Sequence, residues 1–378
     1  MVRWCHALVA LVALGMAVPT EAQIPPRPKK LIHYGWSTRD TIYLRDHWQE
    51  MQEMPFDGLA VSVALDRDKP TVGDGATANL LGWNTFGATA YPAAQFAQQI
   101  ADLQSVPRDR LRELFLPVCI ASSGQDQGYD WFDDQRWATL LANWRSLVTI
   151  AREGGCQGLL LDVEHYDYGC ELFCYRHHRQ QRTNRPFADC RAQVRRRGRE
   201  LMQQTCALYP DITVLMLYGW TLVQYDRAGF AGQPPEETRY SLLADFLDGM
   251  LEGSAPQTRF VDLWEFSYGY RERTQFLEGY HTVLNKALAV TSLPERYRAQ
   301  VSCGFGLYLD NGSHWDAQDF AANYFSPEQF RDSLKLALEL SDEYVWIYQQ
   351  TPGFFPPSNL PEAYLEAIRN ARQPAVGG

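Results

Sequence analysis

The sequence predicts a single (β/α)8 barrel with two carboxylates at the end of its fourth strand. Three observations carry that expectation. Short apolar, strand-like runs alternate with helical periodicity eight times along the chain, the pattern of a parallel sheet whose strands are joined by helices. The run Gly158-Leu159-Leu160-Leu161 is apolar on both faces, as a strand covered by helices must be. The same run passes abruptly into Asp162-Val163-Glu164, and parallel α/β folds assemble their active sites at C-terminal strand ends.

The elements follow in order. Strand one is expected over residues 31–36, with a helix over 41–54. Strand two (56–64) enters a Gly-rich loop carrying Trp83 before its helix returns near 93–103. Strand three (114–121) precedes a helix from about 135 to 153. Strand four is 158–164, and its helix, about 189–208, places Val194, Gly198, Leu201, Met202 and Leu208 at helical spacing. Strand five (213–219) is paired with a helix over 241–251, and strand six (260–266) with one over 273–288. Strand seven is 301–308. Its helix opens at Ser326-Pro327-Glu328-Gln329, where Ser caps, Pro takes the first turn and Gln closes a capping box. Strand eight is 344–348, and a last helix covers 360–370. A doubly wound open sheet is the alternative. No G-x-G-x-x-G follows the first strand and no G-x-x-x-x-G-K-S/T occurs, so nucleotide binding has no support.

Residues 1–22 have the form of a secretory signal, with Arg3, an apolar core over 7–17 and Thr20-Glu21-Ala22 as cleavage site. Residues 23–378 are then one barrel domain, secreted or periplasmic, with no other stretch able to span a membrane. The net charge of −10 argues against a general nucleic-acid binder. Aromatic residues make up 13% of the chain, 11 of them Trp, enough to line a groove as well as fill a core. Eight cysteines, less Cys5 in the signal, leave an odd seven. Cys119 and Cys303 sit inside apolar strands and read as packing residues. Cys170, Cys174 and Cys190 surround a long loop over 165–188, where export favours a disulfide from Cys190 back to Cys170 or Cys174. Zinc held by Cys170, Cys174, His177 and His178 is the less favoured reading of the same spacing.

The predicted strand tops hold an acid, an aromatic residue or both. Strand one offers His33 and Trp36; strand four Asp162, Glu164 and Tyr166; strand five Tyr218 and Trp220. Strand six offers Glu265 and Tyr268, strand seven Asp310, strand eight Trp346 and Tyr348. Alternation puts Asp162 and Glu164 on one face, where mutual repulsion and burial would raise at least one pKa toward that of a general acid. Rings with central carboxylates suit a sugar, whose C–H faces stack on rings while carboxylates work at the anomeric carbon. Each residue also has a plainer role: rim packing for a lone ring, a helix cap for Glu265, a turn for Asp310 in Asp-Asn-Gly. Gly304 and Gly306 would then simply make room for large interior side chains.

The segment GLLLDVEHY resembles strand four of the family 18 chitinases, D-x-x-D-x-D-x-E, through Asp162 and Glu164; Leu160 stands where that family has a further Asp. More broadly the chain resembles secreted TIM-barrel glycoside hydrolases. It is also similar to uncharacterised exported bacterial barrel proteins sharing Gly35-Trp36, the PFDG segment at 55–58, the D-x-E strand and the E-x-S-Y-G-Y segment at 265–270. The resulting expectation is an exported glycoside hydrolase. Glu164 is its general acid/base, Glu265 its nucleophile or water-activating base, and Asp162 tunes Glu164 or orients substrate; the roles of Glu164 and Glu265 are exchangeable. If the substrate carries a 2-acetamido group, its own carbonyl can attack while Asp162 steadies it and Glu164 protonates the leaving oxygen. The rival of another class is a non-catalytic carbohydrate-binding barrel. An esterase lacks support, since no G-x-S-x-G elbow occurs. The hydrolytic reading needs no metal or organic cofactor, and its expected partner is a carbohydrate bound by a monomer. Nine arginines between Arg176 and Arg199 admit two readings. Those of the loop pair with an anionic glycan, or all are surface, with Arg195, Arg196, Arg197 and Arg199 facing solvent.

Overall fold

The computed structural model describes residues 27–120, 130–166, 171–177, 184–229 and 231–373. The expected signal segment lies outside them. Eight parallel strands form the barrel: β1 (Lys30–His33), β2 (Gly58–Ser62), β3 (Glu113–Cys119), β4 (Gly158–Asp162), β5 (Thr213–Met216), β6 (Arg259–Asp262), β7 in two halves (Val301–Cys303 and Phe305–Tyr308) and β8 (Tyr344–Tyr348). They pair in chain order, and β8 returns to β1. The ring closes through the broken β7, whose first half pairs with β6 and second half with β8. At the break the Gly304 N–H donates to the Asp262 carbonyl (2.8 Å). A Cβ at Gly304 would meet the Tyr344 carbonyl at 2.7 Å and Leu263 at 2.8 Å, so only glycine lets the two neighbours approach so closely. The barrel expectation holds.

The helices are α1 (Thr41–Met51), α2 (Ala97–Ser105), α3 (Asp134–Glu153), α4 (Phe187–Leu208), α5 (Trp220–Gly229), α6 (Leu243–Gly253), α7 (Arg273–Leu284), α8 (Pro294–Gln300), α9 (Pro327–Leu340) and α10 (Glu362–Ala371). The capping box of α9 forms as expected, with Gln329 N–H donating to Ser326 Oγ (3.3 Å) and Ser326 N–H to Gln329 Oε1 (3.0 Å). α5 and α8 have no counterpart in the sequence expectation. All five residues of β4 are buried, as the two-sided apolar run requires. No helix among the described residues is long and apolar enough to cross a membrane.

The strands end earlier than expected for a local reason. Asp162 Oδ1 accepts the N–H of Glu164 (2.9 Å), and Asp262 Oδ1 accepts that of Trp264 (3.1 Å). Each aspartate thus turns the chain off the ladder two residues on. At the N-terminal end of the barrel, buried acids are neutralised: Lys30 Nζ reaches Glu113 (2.7 Å) and Glu343 (2.9 Å), and Arg259 binds Glu343. The opposite end holds acids without that company.

The disulfide expectation is corrected for one pairing. Cys174 and Cys190 are both free. Cys190 packs into the main apolar core, while the Cys174 sulfur accepts the His177 backbone N–H. Cys170, the other expected partner, lies outside the described residues, as does His178. The helical arginines are also placed differently. Arg197 is buried and donates to Asp134 (2.5 Å) and the Trp131 carbonyl (3.1 Å). Arg191 holds Asp245 (2.7 and 3.1 Å), and Arg195 holds Glu252 (2.9 Å). These side chains join α3, α4 and α6 rather than facing solvent alone. Arg179 and Arg182 lie outside the described residues.

Candidate active site

The C-terminal mouth of the barrel gathers three carboxyl groups. Asp162, at the tip of β4, is 2% exposed. Its Oδ2 accepts the Tyr166 hydroxyl (2.7 Å), and the Cys119 thiol, in register with it on β3, donates to the same carboxylate. Burial, together with the charge of Glu164, pushes the Asp162 carboxyl up to about 7 despite these donors. Glu164 is half-buried. Burial raises its pKa, while Tyr166 and the Arg239 guanidinium oppose the rise.

Glu265 arrives by a different route. β6 stops at Asp262, and Trp264 adopts a left-handed conformation (φ 38°), uncommon for a residue with a side chain. That kink starts a 3₁₀ turn over Glu265–Ser267. The turn is fastened by Ser267, whose Oγ donates to the Trp264 carbonyl (2.7 Å) and accepts the Gly306 N–H (2.9 Å). The turn brings Glu265 to Tyr268, whose hydroxyl bonds it, and into the fields of Asp162 and Glu164. Burial first, then Asp162, raises the Glu265 pKa well above the carboxylate range. Its Oε2 is buried with no hydrogen-bond partner among the described residues. Carboxyl groups this close in a dry site cannot all ionise.

Aromatic rings enclose the acids. The Tyr218 hydroxyl lies in the fields of Glu265, Glu164 and Asp162, and that of Tyr34 in the fields of Asp162 and Glu265. Trp346 forms a buried floor, packed on Tyr34 (6.0 Å) and Tyr268 (5.4 Å), and Tyr348 stacks on Tyr268 (5.4 Å, 16°). Gly306 makes room for that floor, since a Cβ there would meet Trp346 Nε1 at 2.5 Å; here the plainer glycine role is correct. Trp83 leans on Tyr166 (5.7 Å).

Of the sequence-selected residues, Asp162, Glu164, Glu265, Tyr166, Tyr218, Tyr268, Trp346 and Tyr348 come together, with Trp36 at the rim. Three do not. His33 is fully buried among Phe56, Phe354 and Phe355, with Nε2 bonded to Gln349 and Ser37 (3.2 Å each). Burial lowers its pKa to about 3. Trp220 opens α5 in the helix layer and donates to Asp248 (2.9 Å). Asp310 is buried and accepts the Gln350 and Thr351 N–H groups (3.0 and 2.8 Å), clamping a loop. None has a surface to offer a substrate. Tyr34 and Cys119 were missed as site residues. Alternation held the signal for Tyr34, which shares Trp36's face where His33 does not.

No protein-family model matches the chain, and no curated protein matches it. Solved structures with similar overall shape include a GH18 chitinase from Pseudoalteromonas aurantia, 11% identical over 91% of this chain and 100% of that one, with a TM-score of 0.40. A 3-keto-D-glucoside 4-epimerase from E. coli is 13% identical over 91% and 99% (TM-score 0.41). A β-mannanase from the blue mussel Mytilus edulis is 9% identical over 93% and 93% (TM-score 0.43). These likenesses are too distant to transfer residues or activity, and they include an epimerase beside two hydrolases. The barrel rests on its strand pairing, and the chemistry has to be argued from the mouth itself.

Proposed function

We propose that the protein is a glycoside hydrolase working by paired carboxyl groups, with Glu265 as general acid and Glu164 as its ionised partner, nucleophile or base. The observation that carries this reading is the Glu265 carboxyl: buried, pushed to the protonated form, and with Oε2 unpartnered where two other acids and several tyrosines converge. A protonated carboxyl so placed is suited to donate to a leaving oxygen. Glu164, half-buried and beside Arg239, gives up its proton more readily. This exchanges the roles first assigned from sequence. Asp162 and the Tyr166 hydroxyl orient Glu164 or the substrate. Export is part of the proposal and rests on residues 1–22.

The test separates acid from partner. A polysaccharide panel first identifies a cleaved linkage. On that linkage Glu265→Gln and Glu164→Gln are each expected to lose ~100-fold or more in kcat/KM. On an aryl glycoside of the same sugar with a strongly acidic leaving phenol, only Glu164→Gln should remain slow, since that phenol leaves without a proton. Near-normal turnover in either variant on the natural linkage would sink the assignment. A substrate-assisted variant of the reading is favoured by the burial of Asp162 against Tyr34 and Tyr218. It requires activity confined to 2-acetamido sugars.

A further inference from the structure

Among the described residues, four large apolar or aromatic side chains are strongly exposed, and two stand out: Trp36 at 68% and Tyr225 at 60%. Trp36 follows β1. Tyr225 lies on α5, which follows β5, four strands round a ring of eight and hence on the opposite side of the mouth. Both rings are held in place. The Trp36 backbone N–H donates to the Gln349 carbonyl (2.9 Å), and its indole N–H reaches the Tyr348 hydroxyl oxygen. Tyr225 lies on Phe266, with centroids 4.2 Å apart. An exposed ring already immobilised loses little freedom when a flat apolar surface settles on it.

The rings connect through the catalytic centre. From Trp36 the path runs to Tyr348, then to Tyr268 stacked on it, and Tyr268 bonds Glu265. The next residue, Phe266, carries Tyr225 on the far side. Phenol, indole and carboxyl groups line this path. Such a lining suits an uncharged polyhydroxylated chain better than an anionic one, which the acids would repel.

We propose that this track holds an uncharged glycan on both sides of the bond cut at Glu265, so that the enzyme cleaves within chains rather than trimming single terminal sugars. The inference rests on the glycosidase reading but not on which carboxyl is the acid. The probes are cellohexaose, mannohexaose, chitohexaose and maltohexaose with their disaccharides, titrated calorimetrically against the full chain carrying Glu265→Gln to prevent turnover. One hexasaccharide should bind at least ~10-fold more tightly than its disaccharide. Trp36→Ala and Tyr225→Ala should each weaken it ~10-fold, about the effect of truncating one large aromatic contact, while the disaccharide is unaffected. Trp36→Phe, which keeps a ring, should recover part of the loss. No binding by any probe, hexasaccharide binding no tighter than disaccharide, or indifference to both truncations overturns the proposal. Hydrolysis by the wild-type chain is read separately. Tight, Trp36-dependent binding without cleavage keeps the track and removes the hydrolase. Release of single sugars, unaffected by Trp36→Ala, keeps the hydrolase and removes the track.

Discussion

Asp162 and Asp262 end barrel strands two apart, and they are built alike. Each is buried, and each turns the chain by accepting the N–H of the residue two positions on. In each, burial is the largest cause of a raised pKa, to about 7 for Asp162 and about 6 for Asp262. They differ in what surrounds the rest of the carboxylate. Asp162 Oδ2 meets a tyrosine hydroxyl at the open mouth, and Glu164 lies close enough to repel it. Asp262 Oδ2 meets the Thr221 hydroxyl (2.6 Å), and its carboxylate also accepts the Gly219 and Thr221 N–H groups. A Cβ at Gly219 would sit 2.6 Å from that oxygen. One aspartate faces the chemistry and the other caps the start of α5. A raised carboxyl pKa therefore reports burial; the neighbours decide whether it also reports a site.

Exchanging each aspartate for asparagine should separate these roles. Asp162→Asn is expected to lower kcat/KM on a cleaved glycan by ~100-fold, because the charge and proton behind Glu164 are lost. Stability should stay at or above the wild-type value. Asp262→Asn should do the reverse. Its amide would turn N–H groups toward the Thr221 hydroxyl and two backbone donors, leaving buried groups unpaired at a cost of about 2–4 kcal/mol by urea unfolding. Activity per folded molecule should persist. If Asp262→Asn kills turnover with stability intact, the two strand ends are not distinct in the way argued.

The contrast also shows what the sequence could and could not disclose. The barrel was legible because two-sided apolar runs and helical spacing report local burial, and β4, β8 and the α9 cap appear where expected. Strand alternation failed beyond Asp162 and Asp262, because their side chains capture the backbone and end the ladder. Glu265 still reached the site, but through a 3₁₀ turn after the left-handed Trp264. No periodicity encodes that conformation. His33 and Trp220 were misplaced because a ring near a strand top can face the mouth or the helix layer, and composition does not choose. Asp310 was misplaced because a loop clamp and a ligand-binding acid look the same in one dimension.

A second pair of measurements concerns pH. Both aspartates have folded pKa values above the unfolded value of about 3.9. Their contribution to stability is therefore complete below that pH, and it is lost as pH rises through about 6 for Asp262 and about 7 for Asp162. Thermal melts of Asp162→Asn should match wild type near pH 4 and exceed it above pH 7, by on the order of 1 kcal/mol. A constant offset at every pH would mean that Asp162 is not held protonated by its burial.

The smallest effect tests the hydroxyl groups that tell the two carboxylates apart. Tyr166 donates to Asp162 and also favours the ionised form of Glu164; Thr221 does the corresponding work for Asp262 alone. Removing a donor to a carboxylate raises its pKa. In Tyr166→Phe, the acid limb of turnover, where Glu164 and Asp162 must release protons, should therefore move up by about one pH unit, with little change in the melting curve. In Thr221→Val, the pH dependence of stability should shift upward, while the turnover profile stays where it was, because Asp262 faces α5 and not the substrate. The Phe change keeps the ring that leans on Trp83, so a large loss of activity at all pH values would show that the Tyr166 hydroxyl touches substrate directly. A turnover profile moved equally by both substitutions would instead show the two strand ends coupled through the barrel, with Asp262 part of the same titrating network as Asp162.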